Sequence, residues 1–421
     1  MRRKALVFAA LLLLCPLLAG CYGARETEDI AFITAMGVDQ ADGDKLGFTY
    51  VVAVSRAVGS AQGGGQPAPS GPWALYGNIA TNAGESRNLL ASSISRYTNI
   101  SHLKAIVVSE ELARKGIAAV LDPVVRYREL RGTVQIYVAK GRAADFLAAS
   151  SPRIDYLLSK YFETFALSAQ DNNYFLRTDA HDVYLGLKNP GRSAFATYVA
   201  INPLTGRDRP VGERPSVGRT DTYLAGDIPR TGRANPAEFA GIAVFSGDRM
   251  VGVLGTREVR TLATLQNKAR NNIYSLADPL RPEKIIRVSL RNGAAPGIDV
   301  ALAGGREAIK ISLFLEGEII VNPSGINYEQ DEYRELLEKQ VSALVTEEIW
   351  DFIRRTQAMG SDVFGFGRYV RGHLRYYQEL KGLNLEKLYK TASVEVRVET
   401  RLRRFGLMWR TSPVKPGAGA D

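Results

Sequence analysis

The sequence EQDEYRELLEKQVSALVTEEIWDFIRRT, residues 329–356, has the clearest helical pattern in the chain. Apolar side chains recur every three or four positions, which places them on one face of a helix. About 28 residues at 1.5 Å each give roughly 42 Å, enough to cross a whole domain. The pattern predicts a long amphipathic helix that packs on a sheet, rather than one that offers a groove to a partner helix. Its apolar members are Tyr333, Leu336, Leu337, Val341, Leu344, Val345, Ile349, Phe352 and Ile353.

Strands are predicted on both sides of this helix. Apolar residues alternate with other residues at 298–302 and 309–315, as in strands with one buried face. Residues 394–403 alternate in the same way, and their charged side chains are expected to face water. We therefore expect residues 271–410 to form a C-terminal α/β domain in which the long helix packs against an antiparallel sheet. Residues 411–421 are rich in Pro and Gly and are expected to be a disordered tail.

The N-terminal part of the chain alternates predicted strands and helices. Residues 30–39 and 46–54 flank an Asp42-Gly43 turn, which indicates an antiparallel hairpin, and buried strands separated by helices follow. This alternation is typical of a layered α/β domain with a mixed sheet, to which we assign residues 21–190. A Gly- and Pro-rich stretch at 59–72 is predicted to be a flexible insertion.

Residues 191–270 are expected to form a small middle domain. Two apolar runs at 241–245 and 250–254 flank the turn residues 246–249, which is a second hairpin signal. Residues 203–236 are rich in Gly, Pro, Arg and Asp and are expected to be a long loop. The expected fold class is therefore α+β, or mixed α/β, with three domains that each contain a mixed sheet with packed helices.

The first twenty residues have the layout of a secretory signal peptide. Three basic residues precede an apolar run at 5–20, whose 16 residues are fewer than the roughly 20 that a membrane-spanning helix needs. Cys21 directly follows Leu18, Ala19 and Gly20, and this stretch resembles the bacterial lipobox, in which the cysteine receives a diacylglyceryl group. We therefore expect residues 1–20 to be a lipoprotein signal peptide and Cys21 to be the lipid attachment site. The alternative is an ordinary signal peptide followed by an incidental cysteine.

The formal net charge of the whole chain is +10, which would normally suggest a nucleic-acid partner. Export argues against nucleic acid, and the basic residues are dispersed rather than interleaved with aromatic residues in one run. The charge is compatible with attraction to anionic lipid headgroups or with an ordinary solvated surface. The sequence therefore predicts no nucleic-acid partner, and contact with a membrane surface is expected through the lipid on Cys21.

Patterns for catalysis and metal binding are missing from the sequence. The three histidines, His102, His181 and His373, are far apart in the chain, and no His or Cys spacing suits a metal. There is neither a phosphate-binding P-loop nor a Gly-x-Ser-x-Gly turn. His181 and Asp182 could be a base and its orienting acid, but no nucleophile can be named for them. We therefore expect no enzymatic activity, no metal and no cofactor besides the lipid on Cys21.

Several segments together resemble the Ger(x)C family, the lipoprotein C subunits of nutrient germinant receptors in spore-forming bacteria. The resemblance runs from Cys21 to about Arg410, and its most specific part is a Ser-Asp-x-Phe-Gly-x-Gly motif near the C-terminus. In this motif the glycines would permit close backbone approach or unusual φ angles, and Ser or Asp could cap a short helix. The segments that carry the resemblance are residues 33–39, 101–113 and 241–245, with the motif residues Ser361, Asp362, Phe364, Gly365 and Gly367.

The resemblance implies a three-domain mixed α/β protein that is anchored by lipid on the outer face of the inner spore membrane. It also implies assembly with two integral membrane proteins, an A subunit and a transporter-like B subunit, and no established enzymatic activity. Two alternatives remain open on the sequence alone. A solute-binding lipoprotein of an importer would need a cleft between two similar lobes, and an anchored hydrolase would need buried carboxylates in one pocket.

Overall fold

The computed structural model describes residues 3–4, 26–54, 72–203, 222–230, 235–303, 306–370, 374, 379, 383–404 and 411. Cys21 and the lipobox residues Leu18, Ala19 and Gly20 lie outside these residues. So do residues 59–71 of the predicted insertion, most of the predicted loop at 203–236, and the predicted tail from residue 412. What the sequence predicts for these segments stays a prediction.

The first sheet has nine strands in the order β3-β2-β1-β5-β6-β7-β8-β9, with β4 paired to β1. The pairs β1–β2, β2–β3, β7–β8 and β8–β9 are antiparallel, whereas β1–β5, β5–β6 and β6–β7 are parallel. The strands are β1 (Ile30–Gln40), β2 (Leu46–Ala53), β3 (Trp73–Ala80), β4 (Tyr97–Asn99), β5 (Ala105–Ser109), β6 (Gln135–Ala139), β7 (Phe195–Ile201), β8 (Ala237–Ser246) and β9 (Arg249–Leu254).

Helices cover both faces of this sheet. Alternate residues of β5 belong to two different hydrophobic clusters, so the strand is buried on both sides. Ile106 and Val108 pack with α2, α3 and α6, while Ala105 and Val107 pack with α4 and α5. The helices in this part of the chain are α1 (Ala83–Leu90), α2 (Glu110–Lys115), α3 (Ala118–Arg126), α4 (Ala143–Ala149), α5 (Leu158–Asn172), α6 (Ala180–Lys188) and α7 (Thr256–Leu265).

The second sheet has five strands and is mixed. Its order is β10-β11-β13-β12, with β14 also paired to β13. The neighbours β10–β11, β11–β13 and β12–β13 are antiparallel, and β13–β14 is parallel. The elements are β10 (Asn272–Ala277), β11 (Ile285–Asn292), β12 (Gly297–Ala303), β13 (Arg306–Val321), α8 (Asp331–Met359), α9 (Gly367–Val370), α10 (Leu385–Lys390) and β14 (Ser393–Arg404).

The mixed α+β architecture and the long C-terminal helix are confirmed. Helix α8 buries most of the predicted apolar face, including Leu337, Val345 and Phe352, while Leu336 is exposed. The expectation of an antiparallel sheet under this helix is wrong for one strand. Helix α8 lies between β13 and β14 in the chain, and such a crossover returns the chain in the same direction, so the two strands are parallel.

Three strands of the predicted middle domain do not form a sheet of their own. β7 pairs in parallel with β6, and β8 and β9 extend the same sheet. All residues of β7 except Ile201 at its end are buried, and an isolated small sheet could not cover both of its faces. The described residues therefore contain two sheets where three were expected, whereas the domain boundaries themselves stay a prediction.

The two sheets share one hydrophobic core. Val244 of β8 and Val259 of α7 belong to the same buried cluster as Leu276 of β10. Arg260 of α7 also makes an ion pair with Glu348 of α8 at 2.7 Å, and both side chains are at least nine-tenths buried. A buried pair of this kind adds specific geometry to an apolar contact, so it fixes α7 against α8.

Candidate functional site

The Ser-Asp-x-Phe-Gly-x-Gly motif lies at the junction of the two sheets. It follows α8, whose last turn ends at Gly360 with a left-handed φ of 66°. Ser361 Oγ donates a hydrogen bond of 2.7 Å to the carbonyl of Phe245 in β8. The carbonyl of Asp362 accepts one of 2.8 Å from the N–H of Ser193, just before β7. A loop of the second sheet is thus hydrogen-bonded to two parts of the first.

Asp362 holds the loop in shape. Its Oδ1 accepts a hydrogen bond from the Gly365 N–H at 2.7 Å, and its Oδ2 accepts one from the Gly367 N–H at 2.9 Å. Gly367 is the first residue of α9, so Asp362 takes the capping role that the sequence offers to either Ser361 or Asp362. The side chain is buried, and this burial raises the pKa of Asp362 to about 6 although the backbone hydrogen bonds lower it.

The motif glycines permit a contact between two stretches of backbone. Gly365 has a φ of 89°, which favours glycine. A Cβ on Gly367 would lie 2.6 Å from the Cα of Gly191, and Gly191 itself has a φ of 83°. Phe364, with Phe366 between the glycines, is buried beside them, and the two ring centroids are 4.4 Å apart. The sequence did not single out Gly191, because its contact with Gly367 joins residues distant in the chain.

Replacement of Gly367 by alanine is expected to lower the free energy of unfolding by about 1–3 kcal/mol, the usual range for overpacking. The added methyl group would meet backbone atoms of Gly191, which cannot rotate away as a side chain could. Urea unfolding of the purified full-length protein measures the effect. Gly297→Ala is the matched control, because its Cβ would meet nothing closer than 3.4 Å. Equal unfolding midpoints for the two variants would contradict the tight contact.

A cleft of about 530 Å³ opens beside the motif loop. Asp362 lines it together with the end of α6 and the turn that follows (186–193), and with the residues around the start of α10 (383–386). Arg192 lines the same cleft, and its buried Nε has no hydrogen-bond partner. Its guanidinium lies 5.9 Å from the ring centroid of Phe195, and burial, followed by the nearby Arg368, lowers its pKa. The cleft is lined by charged side chains and by groups that can form hydrogen bonds with a bound molecule. Its described residues include no nucleophile paired with a base.

Glu307 is a buried titratable residue that the sequence pattern did not single out. It is completely buried in β13, and neither carboxyl oxygen has a hydrogen-bond partner. Burial, with a smaller contribution from Asp362, raises its pKa to about 7. The signal was present in the sequence, because Glu307 is in phase with the inward residues Ile309 and Ile311 of the same strand. A carboxyl group in that phase must be buried.

The histidines are not assembled into a site in the described part of the chain. The His102 ring packs edge-on against Phe32 at 4.7 Å, and its Nδ1 lies 3.0 Å from Ser101 Oγ. His181 lies in α6, where no hydrogen bond joins its ring to Asp182, and His373 is outside the described residues. Within the described ranges, no group of three or more His, Cys, Asp or Glu side chains could hold a metal ion. No described helix combines the length and apolar composition needed to cross a bilayer.

Comparisons with known proteins identify the family. The model of the spore germination protein N-terminal domain matches residues 23–201, and the model described as "Spore germination B3/ GerAC like, C-terminal" matches residues 240–406. The putative spore germination protein YfkR of Bacillus subtilis (strain 168) is 24% identical over 95% of this chain and 96% of its own length. Spore germination protein KC of the same organism is 23% identical over 99% and 98%.

The crystal structure of the GerBC protein superposes with a TM-score of 0.49 and 15% identity, over 87% of this chain and 96% of that chain. The two family models together span both sheets and the motif loop at their junction. The chain belongs to the GerAC-like family of spore germination proteins.

Proposed function

We propose that this chain is a non-enzymatic, lipid-anchored subunit of a nutrient germinant receptor and is needed for spore germination. One observation carries the proposal: both domains of a spore germination family are present, and two relatives align over nearly their whole length. The subunit would be held on the outer face of the inner spore membrane by the lipid on Cys21. It would assemble there with the integral membrane A and B subunits.

The physical role of the lipid would be to raise the local concentration of the protein. Each buried CH₂ of an acyl chain contributes about 0.8 kcal/mol, and two chains anchor a protein stably where one does not. Contacts with the A and B subunits would then be effectively intramolecular, so that weak surfaces suffice. The hydrogen bonds and buried core that join the two sheets support this proposal, because they give such an anchored body a fixed shape.

An importer's solute-binding protein is less well supported. That class binds its solute between two similar lobes, whereas the described strands form a nine-stranded sheet with a parallel centre and a five-stranded sheet of different order. No observation on the described residues favours the importer, and family membership favours the receptor.

Substitution of Cys21 by serine is expected to move the protein to the soluble fraction of dormant spores and to abolish the nutrient response. Fractionation of spores followed by immunoblotting measures the first effect, and loss of optical density after nutrient addition measures the second. Cys15→Ser is the matched control, because Cys15 is the chain's other cysteine and lies in the apolar run of the signal. Full membrane retention of Cys21→Ser would contradict the anchor, and failure of the unaltered protein to co-purify with A and B subunits would contradict the assembly.

A further inference from the structure

Arg192 lines the cleft beside the motif loop, and its guanidinium has no hydrogen-bond partner. The residue is half-buried in the turn between α6 and β7. Its side chain makes no hydrogen bond or ion pair with any residue that the structure describes. Nε is buried, whereas Nη1 and Nη2 are not among the buried unpaired atoms and so remain open to the solvent. The end of the guanidinium is therefore both unpaired and accessible.

The unpaired guanidinium of Arg192 is unfavourable as long as the cleft is empty. A buried donor without an acceptor costs about 1–3 kcal/mol, and more when the group is charged. Burial, followed by the neighbouring charge of Arg368, lowers the pKa of Arg192, so both act against its charged form. Since arginine stays protonated in proteins, it cannot remove this cost by losing its charge. An anion bound at Nη1 and Nη2 would offset it.

Two further cations lie beside Arg192. A Cβ on Gly365 would lie 3.2 Å from Arg192 Cβ and 2.6 Å from Arg368 Nε, so the two arginines are neighbours across this glycine. Among the described residues, Arg368 donates to the carbonyls of Gly365 and Phe364, at 3.2 and 2.9 Å, and to no carboxylate. Partial burial, followed by the charge of Arg192, lowers the pKa of Lys268. The three positive charges are therefore close enough to repel one another.

The carboxylates near these cations do not neutralise them. Asp182 and Asp362 act to raise the pKa of Arg192, but neither makes an ion pair within the described part of the chain. Both oxygens of Asp362 accept hydrogen bonds from the N–H groups of the motif loop. Lys188 and Glu386, which also line the cleft, balance each other in number. Three cations thus act with two carboxylates, and positive charge is in excess.

We propose that this cleft binds a phosphate monoester through Arg192. The two terminal nitrogens of the guanidinium match two oxygens of the phosphate group. Arg368 and Lys268 would attract its second negative charge, which a carboxylate lacks. The cleft, of about 530 Å³, lies in the usual size range of small-molecule sites, so it has room for the esterified part of the ligand. This assignment is independent of the receptor role.

Isothermal titration of the purified full-length protein at pH 8 and constant ionic strength tests the proposal. Methyl phosphate is a dianion at this pH, whereas dimethyl phosphate and acetate are monoanions. Methyl phosphate is expected to bind at least about fivefold more tightly than either, because its second charge is also attracted by Lys268 and Arg368. Dimethyl phosphate represents the diester of a lipid headgroup, so the comparison separates a free phosphate ester from a membrane lipid. Equal affinities, or no heat from methyl phosphate at 10 mM, would overturn the proposal.

Two variants divide the site into its parts. Arg192→Gln is expected to weaken methyl phosphate about tenfold or more, because it removes the charged fork. Arg153→Gln is the matched control, since Arg153 is exposed and does not line the cleft. Lys268→Gln, at an exposed position, is expected to lower the preference for methyl phosphate over dimethyl phosphate about twofold or more. Unchanged binding by Arg192→Gln would overturn the site. An unchanged preference in Lys268→Gln would overturn the monoester even if Arg192→Gln does not fold.

Discussion

Replacement of Asp362 by alanine is expected to lower the free energy of unfolding by about 3 kcal/mol, because two buried N–H groups lose their acceptor. These donors belong to Gly365 and Gly367, both buried in the loop between the sheets. The buried carboxyl group costs free energy because it is removed from water on folding, and the alanine variant no longer has this cost. The net loss of stability is therefore smaller than the full cost of leaving two buried N–H groups unpaired. Urea unfolding of the full-length protein at pH 7 measures the change.

Two variants make this measurement specific. Asp362→Asn keeps one acceptor oxygen and is expected to lose about half as much stability as Asp362→Ala, since one of the two N–H groups stays paired. Glu335→Ala removes an exposed carboxylate from α8 and is expected to change stability by less than about 0.5 kcal/mol. A loss for Asp362→Ala no larger than that of Glu335→Ala would show that the two hydrogen bonds do not hold the loop.

Loss of these two hydrogen bonds is also expected to weaken the junction between the two sheets. Ser361 and the backbone of Asp362 connect the loop to β8 and to the start of β7. A destabilisation of about 1–2 kcal/mol is enough to change the abundance of a protein in cells several-fold. The Asp362→Ala protein is therefore expected to be depleted from spores, and immunoblotting of spore membranes would detect this directly.

Local periodicity explains why much of the fold could be predicted. The stripe that includes Leu337 and Val341 marks α8, since a helix repeats its buried face every three or four residues. The turn residues 42–43 and 246–249 mark the hairpins β1–β2 and β8–β9, because their geometry is set within a few residues. The motif from Ser361 to Gly367 was also recognisable, since it is contiguous in the chain.

Pairings between distant segments were not predictable in the same way. A buried strand such as β7 looks the same whether it begins a new sheet or joins an existing one. The parallel pairing of β14 with β13 depends on the chain returning along α8 to the end of the sheet where β13 begins, which no local pattern records. Gly191 against Gly367 and the unpaired guanidinium of Arg192 likewise depend on residues brought together only by folding.

Glu307 is expected to make the stability of this protein fall as the pH rises towards neutrality. Its pKa is raised on folding from 4.5 to about 7. Between these values the folded protein keeps a proton that the unfolded chain has lost. The stability contributed by that proton is complete below pH 4.5 and is lost as the pH rises through 7, a change of about 3 kcal/mol for the full interval.

Glu307→Gln removes this titration and keeps the size of the side chain. The free energy of unfolding of Glu307→Gln, relative to the unaltered protein, is expected to increase by about 3 kcal/mol between pH 4.5 and pH 8. Asp362 titrates in both proteins, so its own pH dependence largely cancels in the difference. Glu335→Gln, at an exposed position of α8, is the control and is expected to show no such trend.

Substitution of Asp362 separates burial from the neighbouring charge as the cause of the raised pKa of Glu307. Burial is the larger contribution to the raised pKa of Glu307, and the neighbouring Asp362 adds to it. Asp362→Asn should therefore move the titration of Glu307 downwards without restoring its ordinary value. Carboxyl ¹³C chemical shifts of the labelled protein report this titration directly. A midpoint below pH 5 in the unaltered protein would mean that water or a cation reaches the two oxygens of Glu307, and the expected fall in stability would then be absent.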